Sequence, residues 1–463
     1  MTDKLSSTQC RNETLLEADG IRARVAGPRP KRVPVKIIPS WTKADPRWCN
    51  IDTVVNPIII DEALSKVIAN RGSGGVDHIN TSELRDYWLK YGETIRQKIV
   101  QGTYIPLPVK RVDIPKPNGD KRMLGIPSVI DRVIQQALVN VLEPVFDSQF
   151  SEFSYGFRKG RNAHQALLQA QSYVKNGNQW VVELDLSKFF DRVNHDILMN
   201  RVARVVEDKK ILKLIRRYLN AGVMEDGIVK PRSEGVPQGG PLSPLLSNII
   251  LTELDRELEK RGHKFCRYAD DCNIYVKSEE AAKRVLESVT NYLEGALKLR
   301  VNRDKSGTFR PYESVFLGYS FHRRDRARII VAEKSVKRLK KKLKTIYRQS
   351  RGTSLSTAIR RLTQILRGWR NYFKLDTRKG YFEKLDINIR THLRVLIWRA
   401  WKKPRTRERE LRKRGLDALN ARKSANNGRG PWHNARALHM RITFPNALFT
   451  RLGLYNLSSM GIV

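Results

Sequence analysis

The chain has 463 residues, 40% of them hydrophobic, which is enough for two or three domains with cores of their own. Its 88 Lys and Arg residues outnumber its 47 Asp and Glu residues, and the net charge of +41 indicates a large polyanion as partner. No apolar run approaches the ~20 residues of a membrane helix, so we expect no membrane partner. The cysteines (Cys10, Cys49, Cys266 and Cys272) form no Cys-x-x-Cys pair, which argues against structural zinc and disulfides and suits a reducing cytoplasm.

Residues 1–50 are rich in proline and basic side chains and lack a regular hydrophobic period. We expect a flexible basic N-terminal arm, which either touches nucleic acid or is a dispensable tail. The segment from Val109 to Ile126 predicts two strands, because Asn118-Gly119 between them is a strong turn signal. Lys116 and Arg122 flank this turn, and paired cations suit a triphosphate, although a solvated basic hairpin is the alternative.

A short segment at 154–161 mixes aromatic and basic residues, including Arg158, Lys159 and Arg161. This segment resembles one in the fingers of reverse transcriptases, where basic and aromatic groups grip the template strand, and stacking plus phosphate contact explains the composition.

Three later stretches carry either carboxylates or a tight turn. Residues 180–186 alternate like a buried strand, which would place Asp185 inside apolar surroundings, an expensive position without a partner. Residues 235–244 form a Gly/Pro-built turn before an apolar helix. Residues 267–272 lie between β-prone runs and predict a hairpin with Ala269 and Asp270 at its tip. Adjacent carboxylates repel, so a shared Mg²⁺ would hold them ionised, and a solvated Asp-Asp turn is the alternative.

Beyond Arg323 the sequence becomes strongly basic and helical in period. Apolar residues at helical spacing predict three amphipathic helices with basic outer faces, which would pack as a bundle. A basic segment follows from about Lys403. The cationic candidates for nucleic-acid binding in these two regions are Lys337, Lys340, Lys341, Lys344, Arg370, Arg407 and Arg412.

These stretches, in this order, resemble the palm motifs of reverse transcriptases, and most closely the bacterial group II intron-encoded enzymes called maturases. The resemblance runs from about Ile51 to near the C-terminus. It implies an α+β right-hand polymerase whose fingers and palm, an antiparallel sheet plus helices, occupy 51–322. An α-helical thumb or maturase domain would follow at 323–402 and a small basic DNA-binding region at 403–463. Because no paired cysteines follow the thumb, we expect the type that lacks an endonuclease domain.

The resemblance also implies roles for individual residues. Asp185, Asp270 and Asp271 match the catalytic, metal-binding carboxylates, which would hold two Mg²⁺ ions, with Mn²⁺ as a substitute. Phe190 matches the aromatic gate that rejects ribonucleotides, although an ordinary core phenylalanine is the alternative. The remaining candidates for contacts with the incoming dNTP are Lys116, Arg122, Gln238 and Lys305.

We therefore expect an RNA-directed DNA polymerase that acts by two-metal-ion nucleotidyl transfer and also aids intron splicing and mobility. Its partners would be intron RNA, an RNA template with a DNA primer, target DNA and dNTPs, in the bacterial cytoplasm near the nucleoid. Two alternatives remain open: a stand-alone reverse transcriptase in DNA repair or phage defence, and a non-enzymatic RNA-binding splicing factor.

Overall fold

The computed structural model describes residues 45–115, 121–225, 228–325 and 327–459, without the side chains of Lys121 and Arg122. Most of the predicted arm, residues 1–50, lies outside these ranges. A short 3₁₀ turn (Pro46–Trp48) comes before the first helix. The helices are α1 (Ile51–Val54), α2 (Pro57–Ala69), α3 (Leu84–Val100), α4 (Val129–Asp147), α5 (Ala163–Lys175), α6 (Phe189–Arg192), α7 (His195–Ala203), α8 (Lys209–Asn220), α9 (Ser243–Lys260), α10 (Glu279–Gly295), α11 (Glu333–Gln349), α12 (Leu355–Tyr372), α13 (Lys379–Ala400), α14 (Pro404–Lys413), α15 (Ala418–Ala425), α16 (Pro431–Arg436), α17 (Leu438–Thr443) and α18 (Asn446–Arg451).

The strands in the described ranges form three sheets. They are β1 (Val109–Pro115), β2 (Lys121–Ile126), β3 (Trp180–Leu184), β4 (Val223–Glu225), β5 (Ile228–Lys230), β6 (Lys264–Tyr268), β7 (Asp271–Val276), β8 (Gly307–Phe309), β9 (Tyr319–Phe321) and β10 (Ile329–Val331). The first sheet has the order β2-β1-β4-β5, and its β1–β2 pair confirms the predicted hairpin strands. β9 pairs with β10 in a second, two-stranded sheet.

The third sheet has the order β6-β7-β3-β8, and each neighbouring pair is antiparallel. Both of its faces are covered. Val182 and Ile274 belong to one hydrophobic cluster, whereas their chain neighbours Val181 and Tyr275 belong to another. Because adjacent strand residues point to opposite faces, a strand covered on both sides reads as an almost continuous apolar run.

The first hydrophobic cluster joins the N-terminal helices to one face of this sheet. α4 lies at its centre and is apolar over much of its surface; Leu138 and Leu142 are fully buried. α9 contributes Leu246 and α10 contributes Leu293 to the same cluster. The core therefore continues from the N-terminal helices into the sheet without a break.

The second hydrophobic cluster covers the opposite face of the sheet. It contains Ala166 of α5, together with Leu343, Leu362 and Phe382 from α11, α12 and α13. These three long helices contact one another, which confirms the predicted bundle. Phe449 of α18 also joins this cluster, so the core continues past the predicted boundary at 402. No helix in the described ranges is long and apolar enough to cross a membrane.

Candidate active site

The β6–β7 hairpin carries the paired carboxylates. Tyr268 pairs with Asp271, leaving Ala269 and Asp270 as the two-residue tip, as predicted. Ala269 has a φ of +58°, a left-handed conformation that costs a residue with a Cβ about 1–2 kcal/mol. Arg267 Nη1 donates a hydrogen bond of 3.0 Å to Ala269 O, which helps to hold the turn in this conformation.

Arg267 lies in a fully buried polar network behind this turn. Its Nε and NH2 atoms donate to the two carboxylate oxygens of Asp255, at 2.7 and 2.6 Å. Its NH1 atom also donates to Asn248 Oδ1 at 3.0 Å, and Asn248 Nδ2 donates to Gly156 O at 2.9 Å. The network thus ties α9 to the hairpin tip and to the loop at 153–156.

Gly156 lies directly against the hairpin tip. A Cβ atom added at this position would be 2.2 Å from Ala269 N, closer than any side-chain atom can approach backbone. The neighbouring loop also pairs with β6, since Tyr155 N donates to Arg267 O at 2.8 Å. Only glycine therefore allows this loop to approach the turn so closely.

Asp185 occupies a loop one residue beyond the end of β3, which corrects the prediction that it lies inside a buried strand. Its side chain is 43% exposed. Its backbone NH donates to Ser306 Oγ at 2.9 Å, and its carbonyl accepts from Asn302 N at 2.8 Å. The flanking Leu184 and Leu186 are buried, as predicted, so the chain places the carboxylate outward and both leucines inward.

Asp185 and Asp270 meet at a cavity of about 520 Å³. Phe190, Gln238 and Lys305, which come from three other segments, line the same cavity. Lys305 Nζ lies 3.6 Å from Asp185 Oδ2. The cavity therefore brings carboxylates, an ammonium group, an amide and an aromatic ring to one place.

Asp271 adjoins this group of carboxylates. Burial, together with the nearby negative charges of Glu183, Asp270 and Asp185, raises its pKa to about 7. Glu183 accepts from Val315 N at 2.9 Å and from the Ser314 hydroxyl. A cation near these oxygens would reverse the repulsion that raises the Asp271 pKa.

The carboxylates suit a divalent ion by their chemistry, since hard oxygen donors are the ligands that such ions prefer. Within the described ranges, no three His, Cys, Asp or Glu side chains converge closely enough to form a metal site by themselves. The Lys305 ammonium beside Asp185 offsets part of the negative charge in this arrangement.

Phe190 differs in its surroundings from the adjacent Phe189. Both residues line the cavity, but Phe189 is buried in the core whereas Phe190 is half-buried, and their ring centroids are 5.2 Å apart. The left-handed Lys188 starts the short helix α6, and Phe190 O accepts from Val236 N at 2.6 Å. The turn at 235–240 is thereby fixed against the residue predicted to be the gate.

Two family models match the chain over consecutive segments. Residues 114–321 match "Reverse transcriptase (RNA-dependent DNA polymerase)" and residues 336–415 match "Group II intron, maturase-specific domain". Protein YkfC of Escherichia coli (strain K12) is 34% identical over 310 residues, covering 58% of this chain and 81% of YkfC. Group II intron-encoded protein LtrA of Lactococcus lactis subsp. cremoris is 37% identical over 210 residues, covering 45% of this chain and 35% of LtrA.

This chain belongs to the group II intron-encoded reverse transcriptases.

The matches confirm the sequence-based interpretation as a right-hand polymerase of α+β class with a maturase domain. The family generally uses divalent metal ions, and its partners are RNA and other nucleic acids. The chain spans most of YkfC but about a third of LtrA. A chain of the partial Cas6-RT-Cas1–Cas2 complex superposes with a TM-score of 0.36 at 28% identity, covering 53% of this chain and 42% of that chain. The maturase match ends at residue 415, beyond the predicted thumb boundary at 402 and just after α14.

Two predicted nucleic-acid contacts of this reverse transcriptase are instead structural. The Arg158 side chain is 6% exposed, pairs with Asp147 and donates to the carbonyls of Ser151 and Ser154. Arg370 is 7% exposed, and its guanidinium donates to three backbone carbonyls. A guanidinium that is buried and already hydrogen-bonded cannot reach a phosphate, so both residues are withdrawn from the predicted interface.

Arg407 and Arg161 are each partly engaged. Arg407 Nε donates to Trp401 O at 2.8 Å, and its guanidinium lies over Trp398. Arg161 NH1 donates to Glu152 O at 3.2 Å. Lys337 pairs with Glu333 at 2.9 Å but remains exposed. The other predicted contacts in the described ranges are exposed cations: Lys159, Lys340, Lys341, Lys344 and Arg412.

Lys116 and the side chain of Arg122 lie outside the described residues, so their predicted phosphate contacts stay predictions. Among the charged residues that line the cavity, sequence reasoning missed Arg111 and Asp113 on β1, and also Lys188 and Asp191. Arg111 also donates to Glu225 Oε1 at 2.5 Å and to Asp113 Oδ1 at 3.1 Å. Their i, i+2 spacing on a predicted strand, which puts both on one face, was the signal that could have found them.

Proposed function

We propose that this protein synthesises DNA on an RNA template at the cavity lined by Asp185 and Asp270. The observation that carries the proposal is the convergence on one cavity of residues far apart in sequence: Asp185, Phe190, Gln238, Asp270 and Lys305. Asp185, Asp270 and Asp271 are the proposed catalytic and metal-binding residues. A non-enzymatic splicing factor would have no need of this arrangement.

In the proposed reaction, the primer 3′-hydroxyl loses its proton to solvent water and forms a bond to the α-phosphorus of a dNTP, and the bond to the leaving pyrophosphate breaks. Two Mg²⁺ ions, with Mn²⁺ as a substitute, would be held between the three carboxylates and the triphosphate oxygens, and would supply a lower hydroxyl pKa and an offset to the charge on the pyrophosphate. Lys305, beside Asp185, is placed to neutralise departing phosphate oxygens. Lys116 and Arg122 are proposed to contact the triphosphate.

Phe190 and Gln238 are proposed to position the nucleotide within the cavity. The Phe190 ring, half-buried against Phe189, would collide with a ribose 2′-hydroxyl and so favour deoxynucleotides. Gln238 would lie against the nucleotide and the template base. Gly125 N donates to Gln238 O at 2.8 Å, which ties the backbone of Gln238 to the fingers sheet.

We further propose that exposed cations on α11 and α14 bind a group II intron RNA and aid its splicing and mobility, with target DNA bound by the region after residue 402. Lys340, Lys341, Lys344 and Arg412 are the leading contacts, since each is exposed on these helices. The protein would then act in the bacterial cytoplasm, close to the nucleoid.

The test is primer extension by purified protein on an RNA template, with Asp270→Asn and Asp185→Asn as variants. Each should abolish extension and leave RNA binding at the wild-type level. Asp61→Asn is the matched control, because Asp61 is an exposed carboxylate on α2, away from the cavity lining. Wild-type extension by either cavity variant would refute the proposed site, and RNA binding without extension by the wild type would favour the splicing-factor alternative.

A further inference from the structure

A second cavity, of about 890 Å³, lies where the turn between α11 and α12 meets the C-terminal end of α13. Its volume falls within the roughly 300–1,000 Å³ typical of ligand sites. None of the residues proposed for polymerisation lines it. All of its lining residues except Phe444 lie between positions 350 and 414, inside the segment that matches the maturase domain.

The floor of this cavity is apolar and aromatic. It is formed by Leu355, Ala358, Leu396, Ile397, Trp401 and Phe444. The Trp401 and Phe444 ring centroids are 5.7 Å apart, and the Arg414 guanidinium lies over both rings, at 5.5 and 4.9 Å. Flat apolar walls next to a planar guanidinium suit a flat aromatic ring, the shape of a nucleobase.

The rim of the cavity is positively charged. Arg351, Arg399 and Lys402 line it and are exposed, whereas Arg414 shares its charge with Glu410 at 2.7 Å. No Asp or Glu is among its described lining residues. A nucleotide within a strand has a flat, uncharged base at one end and an anionic phosphate at the other. Three exposed cations around an apolar floor suit such a group.

Ser350 adds an unused polar group. It lines the cavity and is 3% exposed, and its Oγ atom has no hydrogen-bond partner in the described part of the chain. Its carbonyl, by contrast, accepts from Thr353 N and Thr353 Oγ1. A buried hydroxyl without a partner is unfavourable, and the polar edge of a base could both donate to it and accept from it.

We propose that this cavity takes one unpaired nucleobase of a bound RNA. The base lies on the apolar floor with its edge on the Ser350 hydroxyl, and the flanking phosphates lie on Arg351, Arg399 and Lys402. The inference rests on the proposed RNA binding and adds a particular subsite to it. RNA is the occupant favoured here because the cavity is built almost entirely from the maturase segment.

The probe is a 12-nucleotide oligouridylate with one central 4-thiouridine, cross-linked by light to the full-length protein. We expect the cross-linked peptides to contain Trp401 or Phe444. Ala400→Trp tests this without removing a core side chain, because Ala400 is exposed and lines the cavity, so the larger ring would occupy it. It should lower the yield of this cross-link at least about fivefold, the lower bound for losing one stacked base.

Two further variants, each with a matched control, test the contact with the base separately from the attraction between the charged rim and RNA phosphates. Lys402→Gln should weaken binding, whereas Lys403→Gln, which removes an adjacent exposed lysine that does not line the cavity, should preserve the cross-link. Ser350→Ala should lower the cross-link yield relative to Ser356→Ala, an exposed serine on α12. Circular dichroism confirms that each variant is folded.

The outcomes distinguish failure of the subsite from failure of the proposed RNA binding. RNA that binds but cross-links outside the cavity, or a cross-link unchanged by Ala400→Trp, would overturn the subsite and leave the proposed function standing. The absence of any RNA binding would defeat both. An oligodeoxyuridylate of the same length and label that cross-links in the cavity as efficiently would overturn the assignment to RNA.

Discussion

Arg267 and Asp255 form a two-point ion pair, with both side chains fully buried, directly behind the turn that carries Asp270. The same guanidinium reaches Ala269 O, so the left-handed turn depends on a charge that is neutralised within the protein. A buried pair contributes little net stability compared with apolar packing, but breaking it leaves an uncompensated charge. The pair therefore matters most for holding the turn in one geometry.

Asp255→Asn should test this dependence. It leaves the Arg267 charge buried without its partner, so we expect the free energy of unfolding to fall by about 3–5 kcal/mol. Urea unfolding followed by circular dichroism measures the change. Glu257→Gln is the control: its partner Arg261 is on the surface, and such pairs contribute about 0–1 kcal/mol. Equal effects of the two variants would show that the buried pair has no special role.

Gly156→Ala should damage catalysis more than RNA binding. The added methyl group would lie 2.2 Å from Ala269 N, so either the hairpin tip or the 153–156 loop must move. We expect primer extension to fall at least tenfold, a factor that needs only about 1.4 kcal/mol. Gly368→Ala is the control, because that glycine is in α12 and a Cβ there meets no atom within 4 Å. Normal extension by the Gly156 variant would mean that the tip tolerates displacement.

Phe190→Ala should let ribonucleotides into the growing strand. The ring fills part of the cavity, and removing it would leave room there for a ribose 2′-hydroxyl. The measurement is the ratio of kcat/KM for a dNTP to that for the matching rNTP, which we expect to fall. Phe190→Tyr keeps the ring and should keep the discrimination. If the alanine variant rejected ribonucleotides as strongly as the wild type, Phe190 would be only a packing residue.

Simultaneous replacement of Lys340, Lys341 and Lys342 by Gln should reduce the salt dependence of RNA binding. Each phosphate contact releases about 0.7–0.9 counterions. Losing three contacts should therefore make the negative slope of log affinity against log salt shallower by roughly 2–3. Fluorescence anisotropy between low and moderate salt measures the slope. Lys209, Lys210 and Lys213 on α8 are three equally exposed lysines for a matched control. The same slope in both triple variants would place the RNA surface elsewhere.

The sequence predicted the hairpin tip correctly, because a two-residue turn between β-prone runs is a local property. It misplaced Asp185, because the alternation of apolar and polar residues continues through Leu186. The hydrogen-bonded pairing of β3 with β7, however, stops at Leu184, which pairs with Cys272. Beyond that pair the partner strand has reached its own turn, so Leu186 bridges to Val301 instead. The end of a strand depends on its neighbour and cannot be read from its own residues.

The sequence also could not show which arginines are free to bind nucleic acid and which are buried in the protein. Arg158 and Arg370 have the same donors whether they face phosphates or backbone carbonyls, and only the folded chain shows that the carbonyls occupy them. The partner of Arg267 lies 12 positions away on α9, and its burial follows from how α9 packs under β6. Composition gave the summed charge correctly but not which charges are available.

The covering of both faces of β7 has a thermodynamic consequence. Ile274 belongs to the core shared with the N-terminal helices, and Tyr275 to the core shared with α11, α12 and α13, in the strand that begins at Asp271. A ligand that binds the folded thumb and not its unfolded form stabilises everything that unfolds with it, by mass action. We therefore expect RNA bound to these helices to slow amide hydrogen exchange in β7, the strand next to the proposed active site.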